Sequence, residues 1–135
     1  DKVYCYDSVG AGPTIFREDE TYGCGYMDYY EDIEQYMRLA ELEVARVKAE
    51  RGLKFQPSGE NIIHYSTLPW ADFTAVNHAR RLDIGRSIPK ITFGKLTREG
   101  EKMWLPIDIH ANHAVMDGFH VGKFVERFQE LLIQK

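Results

Sequence analysis

Cysteine is scarce: the chain has two, Cys5 and Cys24, in neither a CxxC nor a zinc-type spacing. That argues against a disulfide-built scaffold and a thiolate-ligated metal site, and both read as buried or partly buried free thiols, with one Cys5–Cys24 bridge as the alternative. Equally missing is any run near the ~18 to 20 consecutive apolar residues of a membrane span, and the polar start Asp1-Lys2 is no secretory signal. Positive charge is not in surplus. With 17 Lys and Arg against 21 Asp and Glu the formal charge is −4, and no basic stripe exists for counterion release. Nucleic acid and membranes are therefore not expected as partners, and a cytoplasmic setting is. No Gly-rich phosphate loop, internal repeat, low-complexity segment or linker marks a second domain.

What the chain does have is apolar content of 44% and aromatic content of 13% over 135 residues, enough for one core and a lined pocket. A single domain over residues 1–135 is expected. Val3 to Tyr6 and Pro13 to Arg17, separated by Gly10-Ala11-Gly12, read as an opening antiparallel hairpin, with a further strand over Thr21 to Tyr26 weakened by its glycines. Asp28 followed by Glu31 predicts a helix cap. Ile33, Tyr36, Met37, Ala40, Val44 and Val47 then share one face of a helix over about 29–51, closed by Gly52. Pro57-Ser58-Gly59 breaks a loop before a strand over Asn61 to Ser66. Ala71 to Ser87, with its cluster Arg80, Arg81, Asp83 and Arg86, lacks a period and reads as irregular. Ile88 to Leu96 and Lys102 to Ile109 predict two strands joined by the turn Thr97 to Glu101. A second amphipathic helix follows, on Val121, Phe124, Val125, Phe128, Leu131 and Leu132. The list suits an α/β (α+β) fold: a mixed, largely antiparallel sheet covered on one face by two helices.

Between the last strand and that helix stands PIDIHANHAVMDGFH, residues 106–120, where His110, His113, Asp117 and His120 crowd one junction. An imidazole near pKa ~6.5 in such a turn can face a cleft and move a proton at neutral pH. Asp117, just ahead of a helix, is also a natural N-cap.

The stretch NHAVMDGFH resembles the HHxxxDG signature of CoA-dependent acyltransferases, and the chain around it is similar to the type A chloramphenicol acetyltransferase family. Three further pieces carry the likeness in the family's order: Tyr65 to Trp70 (YSTLPW), Pro89 to Thr92 (PKIT), and the continuation Phe119-His120-Val121. The resemblance implies a CoA-dependent acyltransferase-like two-layer sandwich and O-acetylation, most simply of chloramphenicol and hence antibiotic resistance. Acetyl-CoA is the implied co-substrate, a small hydroxyl compound the acceptor, and no metal is used. On this likeness His113 is the general base, Ser66 the oxyanion donor, Thr92 its helper through a bound water, and Asp117 an architectural residue paired with an arginine. Trp70 resembles the wall of the family's CoA passage; CoA's phosphoadenosine head would be served by lysines at the mouth of a tunnel, and Lys95, just beyond Thr92, is a candidate. The family is trimeric, with each site between neighbouring subunits. It also carries an N-terminal segment, including that arginine, which this sequence is expected to lack.

Departures bear on the acceptor: Asn112 stands at the motif's first histidine, Met116 at a cysteine or small residue, and His64 at an asparagine. Three other readings remain open. One is a metal-dependent hydrolase using His110, His113, Asp117 and His120. Another is a dihydrolipoamide acyltransferase catalytic domain, and the third is a ligand-binding module without turnover.

Overall fold

A computed structural model describes residues 2–54, 59–78 and 87–134. The Pro57-Ser58 breaker and the cluster Arg80, Arg81, Asp83 and Arg86 lie outside the described residues. Strands β1 (Gly10–Phe16), β2 (Tyr22–Cys24), β3 (Ile62–Thr67), β4 (Lys90–Phe93) and β7 (Ile107–His110) form one sheet in the order β2-β1-β3-β4-β7. Its outer pairings, β1 with β2 and β4 with β7, are antiparallel; β1, β3 and β4 run parallel. Strands β5 (Thr97–Glu99) and β6 (Lys102–Trp104) make a separate antiparallel ribbon.

The opening hairpin forms with a different partner from the one expected. β1 pairs with β2 through a turn in which Arg17 N–H donates to Thr21 O at 3.0 Å and Asp19 accepts from the Thr21 amide and hydroxyl. Both edges of β1 are then occupied, so Val3 to Tyr6, although rich in β-favouring residues, has no ladder to join and is exposed.

Helix α1 (Ile33–Ala49) starts later than Asp28 suggests. The Asp28 carboxylate accepts from the Tyr26 hydroxyl at 2.8 Å, and Met27 exchanges two backbone bonds of 2.8 Å with Ala11, which holds the chain extended there. Asp32 caps instead, accepting from the Glu34 and Gln35 amides. Its C-terminal end is tied down by Arg17, which is 4% exposed and donates to Val47 O, Tyr22 O and Gly52 O at 2.9, 3.2 and 3.0 Å. The helix itself ends at Glu50, whose backbone is extended and whose N–H donates to Arg46 O; Gly52, expected to close it, lies two residues beyond at φ +72°.

The predicted strand pair after residue 88 is real but interrupted. β4 and β7 pair from Lys90↔His110 to Phe93↔Ile107; Gly94 N–H then donates to Pro106 O, while Lys95 N–H turns away to Ala71 O. Pro106 has no amide to continue the ladder, so β5 and β6 separate beyond it and turn at Gly100, φ +63°.

Register sorts the sheet into two faces. Ile15, Tyr65, Ile91 and Phe93 lie on one. Val47 of α1 packs over Gly23, opposite Ile15, and Phe128 of α2 (Gly118–Leu132) lies 5.8 Å from the Phe93 ring. Both helices thus cover the apolar face. Coverage is partial: Ile33, Met37, Leu131 and Leu132 stay exposed, and α2 buries no residue fully.

Candidate active site

The opposite face is polar, and its order follows from strand pairing. Ser66 stands beside Thr92, and Thr92 beside Asp108, giving one row across β3, β4 and β7. Gly12, His64, Lys90 and His110 form the next row. A cleft of 390 Å³ opens over this face, lined by Gly12, Cys24, His64, Ser66, His78 and Lys90 among others. Glycine at position 12 makes the room, since a β-carbon there would sit 2.8 Å from Ile62 and 3.0 Å from the His64 ring. Burial pushes the Cys24 thiol up, away from the reactive thiolate, and both cysteines are free; Cys5, expected to be at least partly buried, is exposed because Val3 to Tyr6 joins no sheet edge.

Ser66 is half-buried in this cleft and makes no side-chain hydrogen bond among the described residues, so its hydroxyl can donate to a bound molecule. Thr92, 1% exposed, is engaged otherwise: its hydroxyl shares a 2.9 Å hydrogen bond with His78 Nε2. Its hydroxyl thus has an imidazole of the chain as a partner. His78 itself meets His110 edge to face, ring centroids 5.2 Å apart. The backbone ahead of His78 is pinned to β7, with His110 Nε2–H donating to Val76 O at 2.8 Å and Val76 N–H reaching Asp108 Oδ1 at 3.4 Å. Because that ring proton points to a carbonyl, Asp108 Oδ2 is left buried without a hydrogen bond although it lies 2.9 Å from the same nitrogen.

His113 is exposed in the turn after β7, and among the described residues it makes no hydrogen bond with either hydroxyl. Strand spacing puts the His110 Cα about 12 Å from that of Ser66, and His113 lies further round the turn. One copy of the chain therefore brings Ser66 and Thr92 together and leaves His113 apart. Asp117 caps α2, accepting from the His120 amide at 3.2 Å and from His120 Nδ1 at 2.7 Å. These bonds, the backbone one foremost, hold its carboxyl below the usual carboxylate range. Among the described residues its partner is this histidine, not an arginine.

Trp70 and Lys95 both lie at the other end of the sheet, beyond the C-terminal ends of β3 and β4. Lys95 N–H donates to Ala71 O at 2.8 Å, and Trp70 is 68% exposed with its ring edge-on to Phe16 at 6.5 Å. His110, His113, Asp117 and His120 do not converge as one ligand set; among the described residues His110 groups instead with Asp108 and His78. Reasoning from sequence missed His78, which sits in a stretch without period. The Asp108-Ile109-His110 alternation on a strand was the available signal, since residues two apart share a face.

A mixed sheet with two helices on one face and a hydroxyl row on the other is the architecture of CoA-dependent acyltransferases. The chloramphenicol acetyltransferase family profile matches residues 1–129, and the chain belongs to that family. It is 35% identical to chloramphenicol acetyltransferase 3 of Escherichia coli, over 100% of this chain and 64% of that protein. With the chloramphenicol acetyltransferase of Clostridioides difficile it shares 32% identity, over 95% of this chain and 61% of that protein. The chain thus spans under two thirds of the length of these relatives. A solved chloramphenicol acetyltransferase superposes with a TM-score of 0.76 at 20% identity, covering 93% of this chain and 62% of that one. The dihydrolipoamide acetyltransferase of Azotobacter vinelandii superposes at 0.56 and 15% identity, over 94% of this chain and 54% of that one, a likeness of fold. No helix among the described residues is long and apolar enough to cross a membrane.

Proposed function

We propose that the chain forms the acyl-transfer site of an enzyme that moves the acetyl group of acetyl-CoA to a hydroxyl of a small molecule, with chloramphenicol the leading acceptor. His113 Nε2 takes the hydroxyl proton as the alcohol oxygen attacks the thioester carbonyl carbon. Ser66 Oγ–H donates to the carbonyl oxygen as it becomes an oxyanion, and Thr92, fixed by His78, orders the row behind it. Collapse breaks the carbon–sulfur bond, and the proton on His113 passes to the leaving thiolate. Lys95 and Trp70 suit the phosphoadenosine and pantetheine arm at the far end of the sheet, and Asp117 keeps the turn that carries His113 attached to α2.

The observation that carries this reading is Ser66 lining a cleft beside Thr92, its neighbour across the β3–β4 pairing, with no side-chain hydrogen bond of its own among the described residues. The separation of His113 from that row supports a site completed by a neighbouring copy, within the trimer that the family resemblance implies. The uncovered apolar surface of α2 and of Leu96, Met103 and Trp104 supports assembly in general. A cytoplasmic enzyme conferring chloramphenicol resistance fits this reading. Free-thiol release from acetyl-CoA, followed with chloramphenicol and a panel of other alcohols, tests it: acceptor-dependent release is expected, and release unaffected by His113→Ala would refute the mechanism.

A further inference from the structure

We propose that His78, Asp108 and His110 form a binding site for a divalent transition-metal ion of the zinc class, which clamps segment 68–78 onto β7. Each residue offers one ligand atom, and the three atoms lie within 4.8 Å of one another. Two imidazoles and a carboxylate are the donor set that zinc, nickel and copper prefer over magnesium or calcium.

Two ligands come from one rigid source, since Asp108 and His110 are alternate residues on the same face of β7. The third arrives on the segment that Val76 already fastens to both. Independent of that proximity, Asp108 Oδ2 is buried with no hydrogen bond, 2.9 Å from His110 Nε2. A buried carboxylate oxygen without a donor costs about 1 to 3 kcal/mol or more, and a cation between it and the two rings removes the deficit. Binding replaces the proton on His110 Nε2, which is released together with its hydrogen bond to Val76 O, so the ion takes over that fastening; three protein ligands leave the fourth position of a tetrahedral ion open.

The site is a clamp and takes no step in acyl transfer, so it stands or falls apart from the proposed activity. The test is a zinc titration of the full chain after chelator treatment, read by calorimetry and by the imidazole nitrogen resonances of the five histidines. One equivalent should bind, moving the His78 and His110 signals, and raise the unfolding temperature. Asp108→Asn and His78→Gln should each weaken binding by roughly 100-fold or more, beyond the loss expected of an outer partner, while His120→Gln leaves it unchanged. No bound equivalent, or binding that moves His113 and His120 and survives Asp108→Asn, overturns the proposal. Should a variant fail to fold, the wild-type imidazole spectrum decides alone.

Discussion

If His113 and Ser66 of one site come from different copies, two inactive variants should repair each other. His113→Ala removes the base, a loss of about 10² to 10⁴ in rate. Ser66→Ala removes the oxyanion donor and costs about 10² to 10³. Neither substitution touches the core, because His113 is exposed and Ser66 faces the cleft. In an equimolar mixture that reassembles at random, a site works when its base comes from a Ser66→Ala chain and its hydroxyl from a His113→Ala chain. Those chances multiply to roughly one quarter of all sites, whatever the number of copies in the ring. The mixture should therefore regain about 25% of wild-type turnover, against ~1% for either variant alone. Co-expression in equal amounts and thiol-release kinetics on the unfractionated mixture make the comparison; removing the unmixed assemblies by sequential purification on two affinity tags raises the expected share in a trimer to about one third. Mixed assemblies no more active than their parents would refute the shared site and place His113 and Ser66 of the same chain together.

Three further outcomes follow from packing and charge. Arg17→Met keeps the aliphatic stem but strips the donor from three carbonyls; those of Tyr22 and Gly52 can recover water and the buried Val47 oxygen cannot, so unfolding free energy should fall by ~2 kcal/mol in urea titrations. Gly23→Ala places a β-carbon in overlap with Val47 Cγ1 and 2.5 Å from Arg17 Nη2, which should cost about 1 to 3 kcal/mol and shift the thermal midpoint down. The side-chain hydrogen bond from Arg46 holds the Glu43 carboxyl below the ordinary glutamate range, while Tyr26 N–H also donates to it at 2.8 Å. Its contribution is thus present above about pH 4 and lost as pH falls through the lowered value, so the stability gap between wild type and Glu43→Gln should shrink between pH 6 and pH 3.

The period of 3.6 in Tyr36, Ala40, Val44 and Val47 made α1 legible, because one helical face meets the sheet wherever the helix starts. Its beginning was not legible, since Asp28 and Asp32 are both good caps and only the distant pairing of Met27 with Ala11 excludes the first. Val3 to Tyr6 misled for a related reason: β-propensity describes a residue, whereas a strand needs a free neighbouring edge. The parallel run of β1, β3 and β4 depends on crossovers that no local pattern records. In the candidate site, Ser66 and Thr92 were readable as residues of the strands that carry the family's pieces. His78 was hidden because its segment has no periodicity and its partners stand 14 and 32 residues further along the chain.

The bare greasy flank along α2 bears on handling. Molecules carrying Phe119, Leu132, Ile133 and Trp104 in contact with water are held in solution by whatever shields them. Dilution below the point where shielding persists should silence the preparation and bare these side chains, so specific activity ought to fall over the same concentration range in which an apolar fluorescent probe begins to bind.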